Sequence, residues 1–188
     1  MFMNKLVVKN TPLDDLKIIE QKPNNDDRGF LSRLYCKETL SDLMGQKIIN
    51  QINRTLTIKK GTVRGLHFQH PPYAETKIIS CLRGKIWDVA VDIRKGSPTF
   101  LKYHAEILSA DNNKSYLMPE GFAHGFQTLT TNCEILYFHT ENYNKDFEGS
   151  INAIDKMIGI DWPQKITERS ERDHNHPMLK DDFRGIEL

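Results

Sequence analysis

The chain has 188 residues, enough to bury one substantial core, and nothing in it calls for a second domain. Lysine and arginine number 26 against 25 aspartate and glutamate, so the chain as a whole presents no field that would gather nucleic acid or an anionic membrane. Cys36, Cys81 and Cys133 are widely spaced, with no CxxC pair, which argues against both a disulfide framework and a zinc site and for buried, reduced thiols.

The early apolar run "KLVVK" is too short for a signal sequence, and no later segment approaches the roughly 18 uninterrupted apolar residues of a membrane span. The expectation is a cytoplasmic protein with no membrane partner. From about Lys5 to Ile107 short runs of Val, Ile, Leu, Thr and aromatics alternate with turn residues, an all-β signature. "KETLSDLMG" breaks the pattern as a short helix closed by a glycine.

"KIISCLRGKIWDVAVDI" reads as two strands around a glycine turn. In the second, Trp87, Val89, Val91 and Ile93 alternate with Ile86, Asp88, Ala90 and Asp92, so one face packs and the other is partly polar. A polar inner face suits a small barrel with a ligand in its mouth. "RKGSPTF", "ADNNKS" and "MPEGFAHG" supply further turns. Beyond about Tyr143 the alternation fades into short helix and loop pinned by Trp162, a tail that wraps the barrel rather than forming a domain. The division is one domain, 1–188, with N-terminal strands in 1–44, a barrel core over about 45–143 and an extension in 144–188.

The residues able to do chemistry are His67, Lys77, His124, Tyr137 and Asp173, with Arg64 and Arg28 as anion binders. His67, in "GTVRGLHFQHPPYAETK", has three readings: metal ligand, catalytic base, or packing residue. Strict alternation puts Arg64 and His67 on opposite faces, so a site that uses both needs a bulge at Gly65. For a metal, His67, Gln69, Glu75 and His124 imitate the ligand pattern of metal-binding cupin barrels, but Gln69 is a poor ligand and His70 points to the other face. For proton abstraction beside a carbonyl, His67, Lys77 or Arg64, and Tyr137 have the chemical types of a base, an enolate-stabilising cation and an acid.

"DDRGFLSRLY", "GTVRGLHFQHPPYAETK", "GKIWDVAVDIRKGSPTF", "LSADNNKSYLMPEGFAHGFQTL", "EILY", "EGSI", "GIDWP" and "SERD", in this order and spacing, resemble the dTDP-4-dehydrorhamnose 3,5-epimerase family nearly end to end. The resemblance implies a cupin-type jelly-roll barrel with short peripheral helices and a C-terminal helical and loop extension. It also implies no cofactor, no metal, and a homodimer whose N-terminal strands cross between subunits. The implied reaction is epimerisation of a nucleoside-diphosphate 4-keto-6-deoxyhexose at carbon 3, carbon 5 or both, through enolates, in deoxysugar biosynthesis for cell-surface polysaccharide. It casts His67 as base, Asp173 as its partner, Tyr137 as acid and Lys77 as enolate stabiliser, with Arg28, Arg33, Gln51, Asn53, Arg64, His124 and Tyr143 as substrate-binding residues.

Three positions depart from the family pattern: Arg33 stands where a base-binding glutamate is usual, Glu75 where glutamine is frequent, and Phe138 where lysine commonly follows the tyrosine. A guanidinium only donates hydrogen bonds, so Arg33 suits cytosine, with its N3 and O2 acceptors, better than thymine, leaving a CDP-sugar open beside a dTDP-sugar. The other readings are a metal-dependent cupin oxygenase or isomerase, a 3,4-ketoisomerase on the same barrel, and a non-catalytic sugar-nucleotide binding protein.

Overall fold

A computed structural model describes residues 5–188. Its strands are β1 (Leu6–Asn10), β2 (Lys17–Gln21), β3 (Asn24–Asp26), β4 (Gly29–Leu31), β5 (Gln51–Thr57), β6 (Val63–Gln69), β7 (Lys77–Arg83), β8 (Lys85–Asp92), β9 (Tyr103–Ser109), β10 (Lys114–Met118), β11 (Phe122–Thr128), β12 (Cys133–His139) and β13 (Glu148–Ser150). Two short helices accompany them, α1 (Ser41–Met44) and α2 (Glu171–His174). Gly45 ends α1 with φ 56°, a conformation that favours glycine, as expected of "KETLSDLMG".

The strands form two antiparallel sheets packed face to face, the jelly-roll barrel expected. One sheet runs β1-β2-β10-β7-β12-β5, the other β13-β6-β11-β8-β9, and β3 with β4 makes a separate ribbon. Between the sheets Ile79, Cys81, Ile135 and Tyr137 of the first meet Ile86, Ala90, Phe122 and Phe126 of the second.

Each sheet's outer face is also covered. Leu34, Tyr35, Leu40 and Met44 lie over Ile19, Ile78, Leu117 and Phe138 of the first sheet. Ile151, Ile158, Trp162 and Ile186 lie over Leu66, Val89, Val91 and Ile93 on the second. Fully burying each such aliphatic side chain stabilises the fold by roughly 1.5–3 kcal/mol, so the extension is part of the core. Trp162 is fixed within it by donating Nε1–H to the Ala153 carbonyl at 2.8 Å.

The double cover explains where β8 differs from the sequence pattern. Apart from Lys85 at its start and half-buried Trp87, β8 is buried on both faces, and the polar row includes Asp88 at 0% exposure, inside the barrel.

Candidate active site

A cleft of about 220 Å³ opens between the two sheets. β6 and β11 of the five-stranded sheet bring Arg64, His67 and His124 to it, and β5, β7 and β12 of the six-stranded sheet bring Asn53, Lys77 and Tyr137.

Arg64 and His67 reach one cleft because β6 is bulged. His67 pairs with His124 but Gly65 with Gly125, so two residues of β6 span one step of β11. Gly65 has φ 119°, and a Cβ there would stand 2.6 Å from both the Gly125 Cα and the His124 carbonyl oxygen. Only glycine fits this crossing, and the bulge required by the sequence is present.

Asp173 arrives from the extension, on α2, whose first turn is capped by Ser170 Oγ accepting from the Asp173 N–H at 3.0 Å. Its Oδ2 accepts from the Gly65 N–H at 3.1 Å and its Oδ1 lies 3.1 Å from His67 Nε2. A carboxylate only accepts, so the proton sits on Nε2; Nδ1 has no hydrogen-bond partner among the described residues and is the nitrogen able to take a proton. Burial pushes the Asp173 carboxyl up, but the bond and charge of His67 and the Gly65 N–H outweigh it and bring the group down to about 2.

Arg172 Nη2 lies 3.1 Å from the same His67 Nε2. Guanidinium groups only donate, so against an N–H this contact acts through charge, while Nη1 pairs with Glu148 at 3.3 Å. His176 Nε2 lies 3.6 Å from Asp173 Oδ1, and its ring meets His67 edge-on at 5.0 Å.

Facing this group from the other sheet, Tyr137 is buried, and burial raises its phenol well above the ordinary value, so it holds its proton. Lys77 Nζ pairs with Glu75 Oε1 at 3.0 Å. His124 Nε2 meets both Asp88 oxygens, at 3.0 and 3.1 Å, deep in the barrel. Burial pushes the Asp88 carboxyl up, partly offset by His124.

The cupin-type metal set is otherwise engaged. Gln69 bonds the loop through the Asn142 and Tyr73 carbonyls and the Asn144 N–H, Glu75 holds Lys77 and His139, and His124 faces Asp88. An ammonium stands among the would-be ligands, and these donors do not fit a metal ion.

The family profile described as dTDP-4-dehydrorhamnose 3,5-epimerase matches residues 10–181. The chain belongs to the dTDP-4-dehydrorhamnose 3,5-epimerase family. It is 42% identical over 175 residues to the dTDP-4-dehydrorhamnose 3,5-epimerase of Salmonella typhimurium, covering 93% of this chain and 96% of that one. The crystal structure of dTDP-4-dehydrorhamnose 3,5-epimerase from Elizabethkingia anophelis superposes with a TM-score of 0.89 at 37% identity, covering 96% of this chain and 100% of that one. A dTDP-6-deoxy-D-glucose-3,5-epimerase from Legionella pneumophila, solved with dTDP-4-keto-L-rhamnose, gives 0.87 at 37% identity and covers 92% of each chain. Epimerases are isomerases, so the family is one of enzymes that carry out isomerisation.

Against that family's expected site, His67, Lys77, Tyr137, Asn53, Arg64, His124 and Tyr143 line the cleft, and Asp173 backs it through His67. Gln51 does not line it; its Oε1 accepts from the Tyr143 N–H at 3.1 Å. Arg28 sits on the exposed β3–β4 ribbon, paired with Asp26 at 2.6 Å, and Arg33 is exposed just beyond, so neither reaches the cleft of its own chain. Phe138 faces away, stacked on Tyr35.

Thr55, Phe126, His139, Glu148 and Arg172 line the cleft without having been singled out from the sequence. The signal was there for two of them. His139 is two residues from Tyr137 on a strand, hence on the same face, and Arg172 directly precedes Asp173.

Proposed function

We propose that this protein epimerises a dTDP-linked 4-keto-6-deoxyhexose at carbons 3 and 5, with His67 as base and Tyr137 as acid. The observation that carries the reading is the placement of a tautomer-fixed base on one sheet and a protonated phenol on the other, with the cleft between them. Inversion needs a proton removed from one face of the carbon and returned to the opposite face. The 4-keto group acidifies the hydrogens at carbons 3 and 5, Nδ1 of His67 takes one, and charge moves onto the ketone oxygen as an enolate. Lys77 offsets that charge, and Tyr137 returns a proton from the other side.

Arg28 and Arg33 join this reading through a homodimer. The ribbon exposes Phe30 at 69% and Leu31 at 73%, and β5, an outer strand with Ile52 at 57% and Leu56 at 52%, offers an apolar edge. A second copy covering these surfaces would carry the ribbon arginines to its neighbour's cleft. The names of the relatives support dTDP over the CDP alternative raised by Arg33. The reading includes a single domain and a cytoplasmic location; the three free thiols fit a reducing compartment, and no helix among the described residues is long and apolar enough to cross a membrane.

The test is proton NMR in D₂O with dTDP- and CDP-linked 4-keto-6-deoxyglucose in parallel. Deuterium should enter carbons 3 and 5 of the dTDP-sugar, and His67→Asn should abolish it while remaining folded. No exchange in either sugar, or full activity in His67→Asn, would refute the reading. Light scattering should return twice the 21.8 kDa of one chain.

A further inference from the structure

The six-stranded sheet carries a row of polar side chains that runs from Lys77 across to Asn53. His139 on β12 pairs in register with Lys77 on β7, and Tyr137, its neighbour on the same face, pairs with Asn53 on β5. Glu75 stands just ahead of β7, two residues from Lys77. Its position is fixed because the Thr76 N–H donates to Thr140 Oγ1 at 2.8 Å and the Thr140 N–H to the Thr76 carbonyl at 3.1 Å.

The Glu75 carboxylate is divided between two partners. Oε1 lies 3.0 Å from Lys77 Nζ and Oε2 lies 2.7 Å from His139 Nδ1, with the three side chains only 8–12% exposed. Because a carboxylate only accepts, His139 carries its proton on Nδ1 and presents a lone pair at Nε2. Asn53 Nδ2 lies 3.4 Å from that Nε2 and donates to it, which turns the Asn53 carbonyl oxygen away from the imidazole. One carboxylate therefore sets the direction of the bonds that run from Lys77 through His139 to Asn53.

We propose that Glu75 is a positioning residue for the cleft: through its two oxygens it holds the Lys77 ammonium in place and fixes the His139 tautomer, and through His139 it fixes which end of the Asn53 amide substrate meets. The catalytic consequence rests on the epimerase reading, whereas the tautomer does not.

A glutamine of the same shape cannot do both tasks. If its amide nitrogen faces Lys77, two donors oppose each other across 3.0 Å. If it faces His139, Nδ1 must accept, the proton moves to Nε2, and the Asn53 amide must turn over to supply an oxygen. The second arrangement avoids a donor against a full positive charge and is the one expected.

The experiment is two-dimensional ¹H–¹⁵N correlation of the imidazole rings in the 188-residue chain, with His139→Asn identifying the His139 signals, alongside kinetics on the dTDP-linked 4-keto-sugar. The wild type should show a protonated Nδ1 and an unprotonated Nε2 at His139, and Glu75→Gln should reverse them. In the same variant kcat/KM should fall about tenfold, in line with disturbing a donor to a developing oxyanion. Glu75→Asp, which keeps the charge on a shorter arm, should retain the wild-type tautomer and serves if the glutamine variant does not fold. A His139 tautomer indifferent to Glu75→Gln, or opposite to this assignment in the wild type, would overturn the proposal. So would a reversed tautomer with undiminished kcat/KM. Absence of turnover in the wild type would count against the epimerase reading alone, since the ring spectra need no substrate.

Discussion

Replacing Asp173 by asparagine isolates the carboxylate's charge from its shape. The Gly65 N–H keeps an oxygen to bond, so the amide nitrogen is left facing His67 Nε2. Nε2 must then accept, and the imidazole proton moves to Nδ1, the atom that would otherwise take a proton from substrate. The substitution also removes the countercharge to the imidazolium formed on abstraction. With 3.1 Å between the bonded atoms and about 4 Å between charge centres, that countercharge is worth about 4 kcal/mol at an effective dielectric near 20. Converted at 1.36 kcal/mol per decade, this is a loss of about 10³ in rate, and the misplaced proton carries it toward about 10⁴. The assay is the rate of deuterium entry at carbons 3 and 5 under saturating substrate, with thermal unfolding to confirm that the variant is folded. A folded Asp173→Asn protein within tenfold of wild type would show either that the carboxylate does not set the tautomer or that His67 is not the base.

Tyr137→Phe keeps the ring that packs against His124 and His139 and deletes only the proton donor. Inverted product should form about 10² to 10³ times more slowly while deuterium still exchanges, because the base survives; loss of both together would mean that Tyr137 serves in abstraction itself. Asp173, held at about 2 in the folded chain against about 3.9 when unfolded, contributes about 2 kcal/mol that is fully present above pH 4 and is lost as the pH falls toward 2. Urea unfolding at pH 5 and pH 2.5 should show that decline in the wild type and a smaller one in Asp173→Asn; equal declines would deny the depressed carboxyl. Gly65→Ala forces a methyl into backbone at 2.6 Å and should destabilise by about 3 kcal/mol, measured by denaturant midpoint; a change below about 0.5 kcal/mol would mean that the β6–β11 crossing relaxes freely.

Local chemistry made much of the fold legible. Strands β7 and β8 follow from β-branched runs on either side of the Gly84 turn, and α1 from "KETLSDLMG", because each is decided within a few residues; that the turn carries the chain from one sheet to the other was not decided there. The double burial of β8 was not legible, since its second cover comes from Ile151, Ile158 and Ile186, more than 50 residues on, and alternation records only one face at a time. Residues at the site divide the same way. The bulge at Gly65 could be required from Arg64 and His67 alone, but the pairing of Asp173 with His67 spans more than 100 positions and came only from the family pattern, and the bond from the Gly65 N–H to Asp173 was not foreseen at all. The substitution at Glu75 was visible as a departure, yet its meaning needed His139, which strand pairing places beside Lys77 and which no spacing rule links to residue 75.

Covering the second sheet and completing the His67 dyad fall to the same stretch of chain. Strands β5 through β12 all precede Asp173 in the chain, so the segment that bonds His67 is also the one that covers the second sheet. On the epimerase reading proposed above, activity would therefore depend on docking of the extension as well as on the barrel strands. On that reading, a nick between Ile151 and Ser170 that loosened α2 would lower activity by releasing Asp173 from His67.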